Sequence, residues 1–233
     1  MQKLIYIFCI TLFAFACSQS DDLSQAINTG DIQKVAELIA KGTDVNKTRN
    51  NNDKWTPLMS ACSTKQTDIV KMLLKAGADV NMADSMDRTA LMYAIRNNDI
   101  NTVKLLLSSG ANVNVVETVG KGPFEGKPVK VMSGNGWSPL MYAVYYSGID
   151  TVKALLDSGV DVNLKTVNGN TALKLAQKIR NKEIGMQIRD SELTVEEAGG
   201  IENYMQLQQQ QVDKQFDEIQ EIIKLLKSAG AKE

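Results

Sequence analysis

The sequence predicts an all-α solenoid of stacked helix-turn-helix units with β-hairpin fingers, one extended finger and a long C-terminal helix. Three observations carry this. "KWTPLMSACSTKQTDIVKMLLKAGADVN", Lys54 to Asn81, returns in altered spelling from Trp137 as "WSPLMYAVYYSGIDTVKALLDSGVDVN". Thr56 and Thr89 stand 33 residues apart, as do Ser138 and Thr171, and Gly77 and Gly110. Each copy holds apolar residues at helical spacing ended by a glycine. A period between about 20 and 50 residues marks units that cannot bury an apolar face alone, so neighbours must stack to make the core.

The first element stands apart. Lys3 is the only charge among residues 1–16, and Leu4 to Ala16 form an apolar block followed by polar "SQSDD". Such a block is shorter than the roughly 18 residues a membrane helix needs, and a basic start with small residues before a cut describes a secretory signal. Export is expected. "AFAC" resembles the lipobox of bacterial lipoproteins, which implies cleavage before Cys17 and lipidation of that residue, although Ala14 and Phe15 depart from the family's preferred residues. Ser18 after it generally does not signal inner-membrane retention in that family, which points to the outer membrane. Ala14-Phe15-Ala16 also fits an ordinary A-x-A site, which would release a soluble periplasmic protein. Residues 17–21 form a tether, with at most about 18 Å from Cys17 to Asp22. Cys9 would leave with the signal, so Cys62 has only Cys17 as a possible disulfide partner and reads as a small buried hydrophobe.

The repeat domain spans 22–233, in units of about 22–50, 51–83, 84–116, 133–165 and 166–233. Asp22 to Asn46 keeps the second-helix pattern without a T-P-L start, as an N-terminal cap should. In the next units Thr56, Thr89, Ser138 and Thr171 can cap an inner helix, and Pro57 and Pro139 fall at its first position, where a missing N–H costs nothing. An outer helix follows with Val70-Leu73-Leu74, Val103-Leu106-Leu107 or Val152-Leu155-Leu156, ending at Gly77, Gly110 or Gly159. "ADVN", "ANVN" or "VDVN" then turns toward the next unit.

Two insertions interrupt the period, at about 117–132 and 186–217. Gly110 and Gly159 are 49 residues apart, 16 more than the period. Val113 and Val115 before a Gly/Pro-rich tip, and Val129 and Val131 after it, predict a lengthened β-hairpin finger. In the last unit Ile201, Tyr204, Leu207, Val212, Phe216, Ile219, Ile223 and Leu226 predict one helix from about Ile201 to Ser228, with Leu225-Leu226 one residue off the usual distance to the glycine.

"TPLM", "TALM", "SPLM" and "TALK", each followed by endings such as "DIVKMLLKAGADVN", resemble ankyrin repeats over nearly all of the chain beyond the signal. The resemblance implies a concave face of finger tips and inner helices that holds another protein. Its variable finger positions fall on Trp55, Arg88, Trp137 and Asn170. Its variable inner-helix positions fall on Ser63-Thr64, Arg96-Asn97, Tyr145-Tyr146 and Lys178-Ile179, with Tyr93 and Tyr142 toward the same side. Partner contacts are therefore expected at Trp55, Arg88, Arg96, Asn97, Trp137, Tyr142, Tyr145 and Tyr146, and at Phe124 on the extended finger. Aromatic rings and arginines are the usual anchors of interfaces. Where the family commonly has a histidine tying neighbouring turns, this chain has Met59, Met92, Met141 and Lys174.

Chemistry is constrained by what the chain omits. It contains no histidine, which removes histidine triads and histidine metal sites, and its three cysteines are too few for a zinc cluster. "GPFEGKP", Gly122 to Pro128, fails as a phosphate loop because its glycines are too close and Pro128 replaces the hydroxyl residue. A formal charge of −1 lacks the basic excess that nucleic-acid binding needs. No catalytic role, cofactor or metal is expected. The expected protein is a monomeric, membrane-anchored scaffold outside the cytoplasm that binds a protein partner; the alternative is a soluble periplasmic inhibitor or immunity-type protein.

Overall fold

The computed structural model describes residues 22–49, 53–118, 136–181 and 201–232. Inner and outer helices alternate along the chain: α1 (residues 22–29) and α2 (Ile32–Ala40), α3 (Pro57–Ser63) and α4 (Thr67–Lys75), α5 (Ala90–Arg96) and α6 (Ile100–Ser108), α7 (Pro139–Tyr146) and α8 (Ile149–Asp157), α9 (Ala172–Arg180) and α10 (Ile201–Ser228). α3, α5, α7 and α9 pack in succession, and α2, α4, α6, α8 and α10 form a second row against them. Segment 1–21 with Cys17, residues 119–135 with Phe124, Val129 and Val131, and residues 182–200 lie outside the described residues. The described parts of the fingers contain no strand. Among the described residues the hairpin pairing shows as one isolated antiparallel bridge, Ala83 to Thr89, while the tip and returning arm of the extended finger lie outside them.

The inner helices start where the sequence caps them. Thr56 Oγ1 accepts the Met59 N–H at 3.1 Å, Ser138 Oγ that of Met141 at 3.4 Å and Thr171 Oγ1 that of Lys174 at 3.2 Å. Thr89 makes no such bond. Covered on both flanks, α5 and α7 are apolar nearly all round. Ala61, Ala94, Ala143 and Ala176 are fully buried and allow close approach, while Met59, Met92 and Met141 fill the space between neighbouring helices at 0%, 1% and 1% exposure. Lys174, at the equivalent position of α9, is exposed. Among the described residues no further inner helix covers α9, so a charged side chain fits there.

The outer helices bury one stripe and end in one repeated way. Val70 and Leu73, Val103 and Leu106, Val152 and Leu155, and Ile223 and Leu226 are all buried. Gly42, Gly77, Gly110, Gly159 and Gly230 then take φ between +77° and +89°, a region that costs a residue with a Cβ far more than glycine. Each glycine N–H bonds back three residues, and the next N–H reaches five residues back, as Ala78 does to Leu73 O at 2.9 Å and Ala231 to Leu226 O at 3.0 Å. These two bonds satisfy carbonyls that the helix end leaves open. They also settle the C-terminal register: Leu226 lies four residues before Gly230, as Leu73 does before Gly77. The repeated pair is Ile223 and Leu226, so the expected one-residue offset disappears.

A ladder of asparagines joins the units beyond the glycines. Asn46 Nδ2 donates to Gly77 O at 3.1 Å, and Asn46 Oδ1 accepts the Asp79 N–H at 2.8 Å. Asn81 repeats both bonds on Gly110 and Asn112, Asn114 accepts from Asp161, and Asn163 clasps Gly230 and Lys232. Each asparagine is held by the side chain two residues before it, Asp44, Asp79, Asn112 or Asp161, which accepts its N–H at 2.9 Å. The closing D-V-N or N-V-N is thus a turn and a clamp in one. It does between outer loops what the family histidine would do between inner turns.

At the turn between their helices the second and fourth units give the outer helix no capping side chain of their own, and the fourth finds a substitute. Asp99 Oδ1 caps α6 through the Thr102 N–H at 3.1 Å, whereas α8 has Gly148 at its cap position and no side chain to offer. Glu218, from the middle of α10, supplies the acceptor instead and takes the Ile149 N–H at 2.8 Å. Lys153 and Glu221 pair one turn further along at 3.7 Å. The long final helix therefore repairs a cap that its neighbour lacks.

Two outcomes follow from these contacts. Asn163→Ala should release the terminal turn, at about 0.5–1.5 kcal/mol per lost bond. Hydrogen exchange should quicken over residues 226–232 and not in α4; uniform quickening would contradict a local clamp. Glu218→Ala should lower stability by about 1 kcal/mol in urea unfolding, with Gly148→Ser restoring most of it. If Gly148→Ser adds the same increment with Glu218 present as without it, the two residues do not share one cap.

Candidate protein-binding face

Each finger closes through one repeated backbone bond. Arg49 N–H donates to Trp55 O at 3.0 Å, Asp84 to Arg88 at 2.9 Å, Glu117 to Trp137 at 3.1 Å and Thr166 to Asn170 at 2.9 Å. Trp55, Arg88, Trp137 and Asn170 therefore hold equivalent places, as the spacing predicts. The residue before each is left-handed: Lys54 (φ +52°), Asp87 (+57°), Gly136 (+73°) and Gly169 (+71°). Neighbouring fingers are tied by Ser85 N–H to Asp53 O at 3.0 Å and Thr118 N–H to Met86 O at 2.9 Å. Arg88 closes four residues after Asp84, whereas Trp137 closes twenty after Glu117. The insertion is spliced into a finger whose base keeps the ordinary geometry.

Behind the fingers lie rings and two buried carboxylates. Trp55 meets Tyr93 edge-on at 4.5 Å between centroids. Trp137 meets Tyr142 at 5.5 Å and Tyr145 at 5.3 Å, and Tyr146 packs on Tyr142 at 5.7 Å and Tyr145 at 4.7 Å. Asp84 is 3% exposed and Glu117 2%. A carboxylate so buried needs a cation or strong donors. Asp84 receives Arg88 Nε at 2.8 Å, Arg88 Nη2 at 2.8 Å and the Tyr93 hydroxyl at 2.6 Å. Glu117 receives the Tyr142 hydroxyl at 2.6 Å. Burial first, and then the bond to a carboxylate, push the Tyr93 and Tyr142 phenols well above the ordinary tyrosine range, so both remain donors. In the second unit Ser60 replaces the tyrosine, and its Oγ accepts from Trp55 Nε1 at 2.7 Å.

This packing sets the expected contact residues at different depths. Trp137, Tyr142 and Tyr145 are 7%, 3% and 6% exposed, so these rings brace the finger against α7 instead of meeting solvent. Asn97 is engaged within the stack: its Nδ2 donates to Cys62 O at 3.0 Å and Ser63 O at 2.7 Å, closing the end of α3. Arg96 is exposed along this face, and Trp55, Arg88, Asn97 and Tyr146 are half-buried. The Arg96 guanidinium lies over the Tyr146 ring at 5.9 Å, and Arg88 over Tyr93 at 5.2 Å. Cys62 is fully buried, and burial pushes its thiol far above the ordinary range, as suits a packing residue. Among the described residues no cluster of His, Cys, Asp or Glu is arranged to hold a metal, and no helix is long and apolar enough to cross a membrane. Sequence reasoning missed the two tyrosine–carboxylate pairs. Asp84 lies nine residues before Tyr93 and was open to detection, but the insertion places Glu117 twenty-five residues before Tyr142.

A family description for ankyrin repeats in three copies matches residues 23–117 and 121–186. The chain is similar to human ankyrin repeat domain-containing protein 40, 41% identical over 26% of this chain and 16% of that protein. It is also similar to the mitochondrial disaggregase of Bos taurus, 36% identical over 29% of this chain and 10% of the relative. The 2-5A-dependent ribonuclease of Mus musculus is 40% identical over 24% of this chain and 8% of its own length. The chain thus matches only a small part of these relatives, two of which are enzymes that carry the repeats beside other parts. Repeats of this kind generally serve as non-enzymatic modules for protein–protein interaction. Helix pairs, glycine-ended outer helices and a match over more than half the sequence agree: the chain belongs to the ankyrin repeat family.

Proposed function

We propose that this chain is an exported, lipid-anchored scaffold that holds a protein partner on the face built by its fingers and inner helices. The observation that carries the reading is the contrast between a repeated backbone and side chains of several kinds. Trp55, Arg88, Trp137 and Asn170 share one backbone hydrogen bond yet range over an indole, used twice, a guanidinium and an amide. Nothing in the turn requires that variety. Trp55, Arg88, Arg96 and Tyr146 offer the partner rings and guanidinium groups, the side chains that most often anchor interfaces. Trp137, Tyr142 and Tyr145 act one layer beneath, by fixing the finger of the fourth unit.

Anchoring rests on the sequence before the repeats, where an apolar block ends at Cys17. Two or more acyl chains, at about 0.8 kcal/mol per buried CH₂, hold a protein stably at a membrane. The A-x-A pattern of Ala14-Phe15-Ala16 supports the second reading, a soluble inhibitor that covers a partner enzyme.

Palmitate labelling of cells should mark the wild-type chain and leave Cys17→Ser unmarked; equal absence of label in both selects the soluble form. A photo-crosslinking amino acid at exposed position 64, beside the inner helices, should give one specific adduct in cells that is lost with Arg96→Glu and Tyr146→Ala. The same group at position 104 on α6 should give none, and equal adducts from both positions would remove the face from consideration.

A further inference from the structure

We infer that the partner segment seated on this face is acidic, a stretch of Asp and Glu side chains lying along the inner helices. This rests on the protein-binding reading above and gives the partner its chemistry. Every charged side chain of the four helices α3, α5, α7 and α9 is basic: Arg96 on α5, and Lys174, Lys178 and Arg180 on α9. The outer row is mixed. There Lys34 pairs with Glu37 at 3.2 Å, Lys71 with Asp68 at 3.1 Å and Lys153 with Glu221 at 3.7 Å.

Among the described residues none of the four inner-helix cations has a carboxylate partner. Arg96 rests on the Tyr146 ring, Lys178 Nζ donates to Asn170 Oδ1 at 3.1 Å, and Arg180 Nε donates to Asn181 Oδ1 at 3.2 Å. The nearby carboxylates of Asp84 and Glu117 are buried and already engaged by Arg88, Tyr93 and Tyr142. The exposed carboxylates of the fingers are Asp53 and Asp87, and α1, the first inner helix, carries exposed Asp22 at its start, at the far end of the row from Lys178. Lys174 occupies the position through which the other inner helices meet their neighbours, so it looks past the end of the row. Arg96 and Lys178, which hold equivalent places 82 residues apart, remain for the face, while Arg180, two residues on along the same helix, turns away from it.

With a net charge of −1 over the whole chain, this is segregation of charge and not a basic protein. A basic floor attracts carboxylates and repels cationic partners, and a guanidinium held on a ring presents its remaining donors in the fork that a carboxylate fits.

The test uses the full chain and a fluorescein-labelled peptide alternating Glu with Gly around one Tyr, beside a twin with Gln in place of Glu. Anisotropy should show the Glu peptide binding at least about tenfold more tightly than its twin, with the difference shrinking as salt is raised. Arg96→Glu with Lys178→Glu should remove the preference while circular dichroism stays unchanged. Lys75→Glu with Lys104→Glu changes the net charge equally on the outer helices and should keep it. Equal binding of the two peptides, or equal loss in both double variants, overturns the inference. Binding seen only after Asp190→Asn, Glu192→Gln, Glu196→Gln and Glu197→Gln would give the face to the chain's own acidic stretch. Binding to phosphatidylglycerol vesicles but not to the peptide would make the anion a lipid; either result overturns an acidic protein partner. If the adduct from position 64 forms while the peptides are not distinguished, protein binding stands and only the acidic partner falls.

Discussion

The constraint on which this structure depends is that no helix pair can bury its apolar stripe alone. Leu73, Leu106, Leu155 and Leu226 are fully buried only because another pair stands beside each of them. Burying a leucine side chain contributes about 1.5–3 kcal/mol, so a missing neighbour exposes several such contributions at once. Stacking supplies the energy but leaves the spacing undetermined. That is set by the left-handed glycine, which turns the chain out of each outer helix, and by the asparagine that grips the turn of the next unit.

The same division of labour explains where function can reside. The floor of each finger is made from strong, buried interactions: Arg88 and Tyr93 on Asp84, Tyr142 on Glu117, and rings around Trp137. Charge-assisted bonds contribute about 1.5–3 kcal/mol each, and leaving such a carboxylate unmet would cost at least as much. Because the floor is rigid, side chains above it can differ from unit to unit without disturbing the backbone. Arg96 and Tyr146 illustrate this: each lies on an inner helix whose packing is decided by other residues, Leu91 and Ile95 or Leu140 and Val144.

Much of the fold was legible because it is written in local rules. Capping residues, proline at the first helical position, glycine after the last and a long apolar spacing over Ile201–Ser228 each act within a few residues, and all reappear in the structure. The face was legible in position but less so in exposure. Trp137 and Tyr145 fall where the family pattern puts contact residues, yet burial depends on how many rings converge from 137, 142 and 146, which no linear pattern states. Partnerships across units were harder still. Glu218 and Ile149 are 69 residues apart, and the need for that bond arises only because position 148 is glycine. The "VN" ending looked like a turn, since its second role lies in the following unit.

The concentration of rings in the fourth unit has a physical reason. Its finger closes between Glu117 and Trp137, a span five times that of Asp84 and Arg88. Counted as chain without contacts of its own, the longer loop costs about 1.4 kcal/mol more to close. A lone backbone bond at the base, with a net contribution of about 1 kcal/mol, would not offset that. The Glu117–Tyr142 bond and the indole seated against Tyr142 and Tyr145 are therefore needed where the insertion is, and the third unit manages with fewer rings because its finger is short. Burial of Trp137, Tyr142 and Tyr145 and tolerance of sixteen extra residues are two sides of one arrangement, in which the rings that secure the base of the finger are withdrawn from solvent.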